Sequence, residues 1–173
     1  MNKKFAALVI SSAVAVTACA TSDSAAAQPP PGFPDLSKFE SSPVDGYVNE
    51  FGISAGLLFS TPDGLSCSIS SERSGCSGKE IPGFPSNVPP PDITSAPGMP
   101  PRCRTENAAS GSGNSFGVIN QDCSQVVNTY KLLPAGHKFS VGNLTCAVGD
   151  NRLTACTDGT HGFVLQPSGS FTF

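Results

Sequence analysis

FSVGNLTCAVGDNRLTAC, residues 139–156, decides how this chain is to be read. Leu144, Cys146 and Val148 alternate with smaller or more polar neighbours, a period of two that places them on one face of a strand. Gly142-Asn143 and Gly149-Asp150-Asn151 punctuate the stretch as turns, and Cys146 and Cys156 fall on successive arms. A looser copy, FSTPDGLSCSISSERSGC, occupies residues 59–76, with Leu65, Cys67 and Ile69 alternating in the same way and Cys76 on the return arm. Both copies predict β-hairpins stapled across their arms.

Outward from these hairpins, turn residues recur at close spacing. Thr61-Pro62-Asp63-Gly64 is a turn in which proline presets φ and glycine accepts a positive one. Strands are expected over residues 53–59, 65–69, 116–120, 137–141 and 144–148, and more weakly over 125–132. The chain closes on a last hairpin, residues 162–173, with Phe171 and Phe173 on one face. The lead-in over residues 44–52 is expected to be irregular. The proline-dense residues 80–101 can form neither a central strand nor a normal helix, so they predict a long loop held down by Phe84 and Met99. PGFP occurs at 31–34 and again at 82–85, read as two phenylalanine-anchored extended segments. Short strands joined by Gly/Pro/Asn turns predict an all-β fold, a small disulfide-stabilised antiparallel sandwich or barrel.

The first residues predict an address. Lys3 and Lys4 precede an apolar run over residues 5–16, too short for a comfortable membrane span. Val16-Thr17-Ala18-Cys19 resembles a bacterial lipobox, which implies cleavage after Ala18 and lipid attachment at Cys19. An ordinary signal peptide cut near Ala27 is the alternative. Residues 1–18 are thus expected to be a lipoprotein signal peptide, residues 19–43 a lipidated cysteine with a flexible Ala/Ser/Pro-rich tether, and residues 44–173 one β-rich domain. The expected location is the outer face of the bacterial cytoplasmic membrane, with secretion as the alternative.

Removal of residues 1–18 leaves 155 residues, eight of them basic and thirteen acidic. That length suits one domain. The absence of a basic cluster argues against nucleic acid as a partner. Beyond Cys19, six cysteines remain, Cys67, Cys76, Cys103, Cys123, Cys146 and Cys156, an even number that suits three disulfides in an exported chain. Fifteen pairings are possible. The hairpins favour the nearest-neighbour set, each bridge contributing roughly 3 kcal/mol by loop closure. The spacings lack paired C-x-x-C knuckles, so neither a metal nor another cofactor is expected.

No nucleophile elbow, zinc-protease motif, phosphate loop or calcium loop occurs in the sequence. The catalytic alternative is a small secreted hydrolase using Asp158 and His161, the latter as general base. With no other constellation present, the chain is expected to be a non-catalytic binding or structural module. Its expected contacts are the membrane, through the anchor, and an envelope protein or cell-wall component.

Pro62-Asp63-Gly64-Leu65-Ser66-Cys67-Ser68-Ile69, the later glycine and cysteine strand over 142–156 and the Gly-Phe-Val-Leu at 162–165 resemble small exported lipoproteins of actinobacteria, of mycobacterial type. The resemblance spans about residues 55–170. It implies an envelope location and a cysteine-paired β-domain, and no activity.

Overall fold

The computed structural model describes residues 29–49, 56–89, 102–110, 113, 115–123 and 130–173. In chain order the strands are β1 (Glu40–Ser41), β2 (Val48–Asn49), β3 (Gly56–Ser60), β4 (Ser66–Ser70), β5 (Ser74–Gly78) and β6 (Arg102–Ser110). They continue as β7 (Ser115–Asp122), β8 (His137–Val141), β9 (Leu144–Val148), β10 (Thr154–Thr157), β11 (Gly162–Leu165) and β12 (Phe171–Thr172). One sheet has the order β1-β8-β9-β10-β11-β12 and the other β2-β3-β4-β5-β6-β7. Neighbours are antiparallel except β1, which runs parallel to β8. The all-β expectation holds. The described strands form two six-stranded sheets.

The two cysteine hairpins stand at matching places in the two sheets. In one, Phe139 pairs with Cys146, Cys146 with Cys156 and Cys156 with Phe163. In the other, Phe59 pairs with Cys67, Cys67 with Cys76 and Cys76 with Ala108. Directly opposed positions bring Cα atoms close enough for a disulfide. Both pairs are bonded with a Cα separation of 4.1 Å, and Cys103 bonds Cys123. The nearest-neighbour pairing is therefore the one formed.

Both rows face one shared core. Phe59 and Phe139 meet at 5.7 Å between ring centroids, and Tyr47 stands edge-on to Phe139 at 4.6 Å. Leu65, Ile69, Leu144 and Val148 fill in around them. The alternating residues of the two quoted stretches are thus the core residues. The Tyr47 hydroxyl keeps a partner by donating to the Leu132 carbonyl at 2.7 Å.

The opposite side of the first sheet is also closed. Lys138, Ala147, Ala155, Val164 and Phe171 pair in register across five strands. They point away from the core, yet Ala147, Ala155 and Val164 are fully buried. The N-terminal segment touches both ends of this row. Gly32 lies against the Phe171 ring, Phe33 packs edge-on to Phe173 at 5.3 Å, and Lys138 Nζ donates to the Leu36 carbonyl at 2.6 Å. A 3-10 turn, Leu36–Lys38, is capped by Asp35 and leads into β1. Residues 29–42, expected as part of a tether, are thus a strap laid on the sheet, and the small alanines beneath let it approach.

The two PGFP stretches are turns rather than extended segments. Phe33 N donates to Pro30 O at 3.1 Å with Gly32 at φ +92°, and Phe84 N donates to Ile81 O at 3.2 Å with Gly83 at φ +57°. Proline followed by a positive-φ glycine is the type II pattern. Both turns seat on the C-terminal hairpin, the second through Ser170 N to Gly83 O at 2.8 Å. A side chain at position 83 would run into the Gln166 carbonyl. Phe84 packs edge-on to Phe116 at 5.6 Å, as an anchor should. Residues 1–28, including Cys19, lie outside the described residues, as do Met99, the start of the expected 53–59 strand and most of the expected 125–132 strand.

Candidate functional site

Three connections gather at one end of the body: β3–β4 (residues 61–65), β9–β10 (residues 149–153) and β11–β12 (residues 166–170). The first is organised by side chains. Thr61 Oγ1 donates to Asp63 Oδ1 at 2.6 Å and accepts from Leu65 N at 3.0 Å. Thr61 N donates to Leu65 O at 3.0 Å and Gly64 N to Thr61 O at 2.9 Å, closing the turn.

The Asp63 side chain is only 8% exposed, and its Oδ2 carries no hydrogen bond. A buried carboxylate oxygen without a donor is destabilising. Among the described residues the cation paired with it is the Arg152 guanidinium, with Nε at 3.6 Å, too far for a hydrogen bond.

Arg152 belongs to a tight bend. Gly149 N donates to Leu153 O at 2.8 Å and Leu153 N to Asp150 O at 3.2 Å. Asn151 and Arg152 take φ of 56° and 62°. Asparagine tolerates that region, whereas arginine pays roughly 1 kcal/mol or more to sit there. Backbone strain and a donorless carboxylate therefore meet at one place.

The space between these loops is open. A cavity of about 230 Å³ is lined by Pro62, Asp63, Ala135, Gly149 and residues 150–152. A second, of about 380 Å³, runs from Asp150, Asn151 and Leu153 to Gln166, Pro167 and Ser168. Asp150 and Asn151 border both, so the two form one groove across the loop end. Its chemistry is two carboxylates, one guanidinium, two side-chain amides, a hydroxyl and apolar wall from proline, alanine and leucine.

The Asp158–His161 pair lies elsewhere, in the β10–β11 turn. Asp158 Oδ1 accepts from the Thr160 and His161 amides at 2.8 and 2.7 Å, and its Oδ2 lies 3.5 Å from His161 Nδ1. Partial burial works to raise the Asp158 carboxyl. The His161 and Thr160 amides and the imidazole together outweigh it and hold the group below the usual aspartate range. Among the described residues no hydroxyl or thiol hydrogen-bonds the imidazole, which is 52% exposed. The geometry is that of a side-chain-capped turn.

The other histidine, His137, has Nδ1 3.1 Å from the Ala135 carbonyl and Nε2 3.7 Å from Glu40, at the β1–β8 junction. Glu106, a carboxylate the sequence does not single out, is fully employed. It accepts from Ile81 N at 2.7 Å and Arg104 Nη2 at 2.9 Å, pinning the exit of β5. Among the described residues no three His, Cys, Asp or Glu side chains gather to hold a metal. No helix among them is long and apolar enough to cross a membrane.

The sequence locates Asp63 in a turn and Asp150-Asn151 in another without bringing them together. The proline-glycine signal marks the first turn. Nothing in the residue types marks Arg152 for a positive φ.

No family model matches this chain, and neither a curated protein nor a solved structure matches it significantly.

Proposed function

We propose that the protein is a non-catalytic envelope lipoprotein of actinobacterial type. In this reading Cys19 carries the lipid at the outer face of the cytoplasmic membrane, and a disulfide-held sandwich presents the loop-end groove to an envelope protein or cell-wall component. The observation that carries the binding role is the groove itself: three connections from two sheets converge on a space bordered by Asp63, Asp150 and Arg152. Rigid sheets carrying recognition groups on clustered loops are a common binding design. The lipobox, the even cysteine count and the lack of basic clusters support the location and argue against nucleic acid.

The competing hydrolase reading rests on the Asp158–His161 pair alone, and it needs a nucleophile at the imidazole that the described residues do not supply. The test is retention of the full-length chain, in detergent, on purified envelope fractions. Ser168→Trp, which fills the groove, should reduce retention about tenfold if the groove is the contact surface. Unchanged retention of that variant, or no retention of the parent chain, overturns the reading.

A further inference from the structure

The Asp63 end of the groove combines features that a finished structural turn does not need. Asp63 is desolvated, one of its oxygens is served by Thr61, and the other has no donor. The cation beside it stands at 3.6 Å without a hydrogen bond, on a side chain that is 45% exposed. That side chain rises from a backbone position, φ 62°, which an arginine does not favour. The guanidinium thus partially neutralises the carboxylate without filling its hydrogen-bonding capacity.

We propose that this end of the groove receives a primary ammonium on an alkyl arm, a lysine-type side chain of an envelope peptide, and that Arg152 is the plug it displaces. The charge balance favours a cation, since Asp63 and Asp150 face a single guanidinium around the cavity. A bare calcium or magnesium ion is a poor fit. It asks for six or more oxygens, and the Thr61 and Leu65 carbonyls are already engaged in closing the turn. An ammonium asks for few acceptors, and one donor to Asp63 Oδ2 supplies the bond now missing. The Pro62 and Ala135 walls suit the methylenes behind it. The cavity, at about 230 Å³, has room for an alkyl arm. When the ligand enters, the half-exposed Arg152 side chain moves toward solvent, where its charge is readily hydrated.

This inference rests on the binding role proposed above and specifies its ligand. The test is a calorimetric titration of the full-length chain in detergent with Nα-acetyl-lysine methylamide, using its norleucine counterpart as the uncharged control. n-Butylammonium in a parallel titration tells a free amine from a peptide side chain. The lysine probe should bind and the norleucine probe should not, with n-butylammonium weaker than lysine. Asp63→Asn keeps an oxygen that accepts from the Thr61 hydroxyl and removes the charge; it should weaken the lysine probe at least about tenfold. Arg152→Gly removes the plug and relieves the strained backbone, so it should tighten the probe by about tenfold, the factor recovered when a binding-competent state is no longer a minor one.

Equal binding of the lysine and norleucine probes overturns the proposal, as does weaker lysine binding by Arg152→Gly. n-Butylammonium binding as tightly as the lysine probe overturns the peptide source. If the chain is retained on envelope fractions while the lysine probe fails, the ligand assignment falls and the binding role stands. If the probe binds as expected while retention fails, the ammonium site at Asp63 stands and the envelope source falls with the binding role.

Discussion

Across the first sheet the outward row is Lys138, Ala147, Ala155, Val164 and Phe171; across the second the matching row is Leu58, Ser68, Gly75, Ala109 and Ser115. Behind both stand the same inward partners, a phenylalanine followed by two bonded cysteines. The inner rows are near copies, whereas the outer rows meet different surroundings. The first is crossed by the strap from the N-terminal side, and its middle three residues are buried. The second is half-buried to exposed along its whole length, lined by one leucine and otherwise by serine, glycine and alanine. A repeated hairpin therefore fixes the interior of this body, and a non-repeated segment makes its two faces different.

Removing one core bridge at a time gives the largest effect and asks whether the rows are energetically as well as geometrically matched. Cys146→Ala with Cys156→Ala, and separately Cys67→Ala with Cys76→Ala, should each lower unfolding stability by about 3 kcal/mol, because the closed loops have nearly equal sequence separations, 10 and 9. Urea denaturation of the two double variants measures this. A difference well above about 1 kcal/mol would show that the sheets are copies in outline only.

The outer faces should then separate sharply. Ala147→Leu forces bulk between sheet and strap and should destabilise by about 2 kcal/mol. The matching change on the open face, Ser68→Leu, should stay within about 0.5 kcal/mol. Equal effects in urea melts would mean that the strap contributes nothing to closing the first sheet.

A smaller effect than that at Ala147 concerns the connections that follow the second arm of each hairpin. The first sheet uses the four-residue turn 158–161, capped by Asp158, where the second uses the long connection 79–101. Asp158→Asn should cost roughly 1 kcal/mol near neutral pH. The folded protein holds this carboxyl below its ordinary value of 3.8, so its charge-dependent stabilisation is complete above that value. It is lost as pH falls through the lower folded-state value. The stability gap between parent and variant should therefore narrow below about pH 4, and a gap constant to pH 2.5 would break the assignment.

The inner half of this molecule was legible in its sequence because alternation is a local signal. Leu144, Cys146 and Val148 declare a strand face by themselves, and two cysteines at hairpin spacing declare their partner. The strap was not legible. Prolines at 29–31 and 34 suit a free spacer and a docked one equally, and what decides is the row of small residues more than a hundred positions away. The PGFP stretches escaped for a related reason, since their turns become visible only with the C-terminal hairpin that receives them. The groove was the least legible feature. Thr61-Pro62-Asp63-Gly64 advertises a turn, but the near-contact between the donorless Asp63 and a cation exists only once the β9–β10 bend delivers Arg152 from the other sheet.

The strap also governs how a load reaches the fold. Ten positions separate Cys19 from Pro29, a reach of about 35 Å at full extension. With the lipid at Cys19, as proposed, drag on the domain arrives first where Gly32 and Phe33 rest on Phe171 and Phe173, and only afterwards at the short parallel pairing of β1. A tug on the anchor would thus peel the strap and bare the alanine row before it disturbed either bonded hairpin.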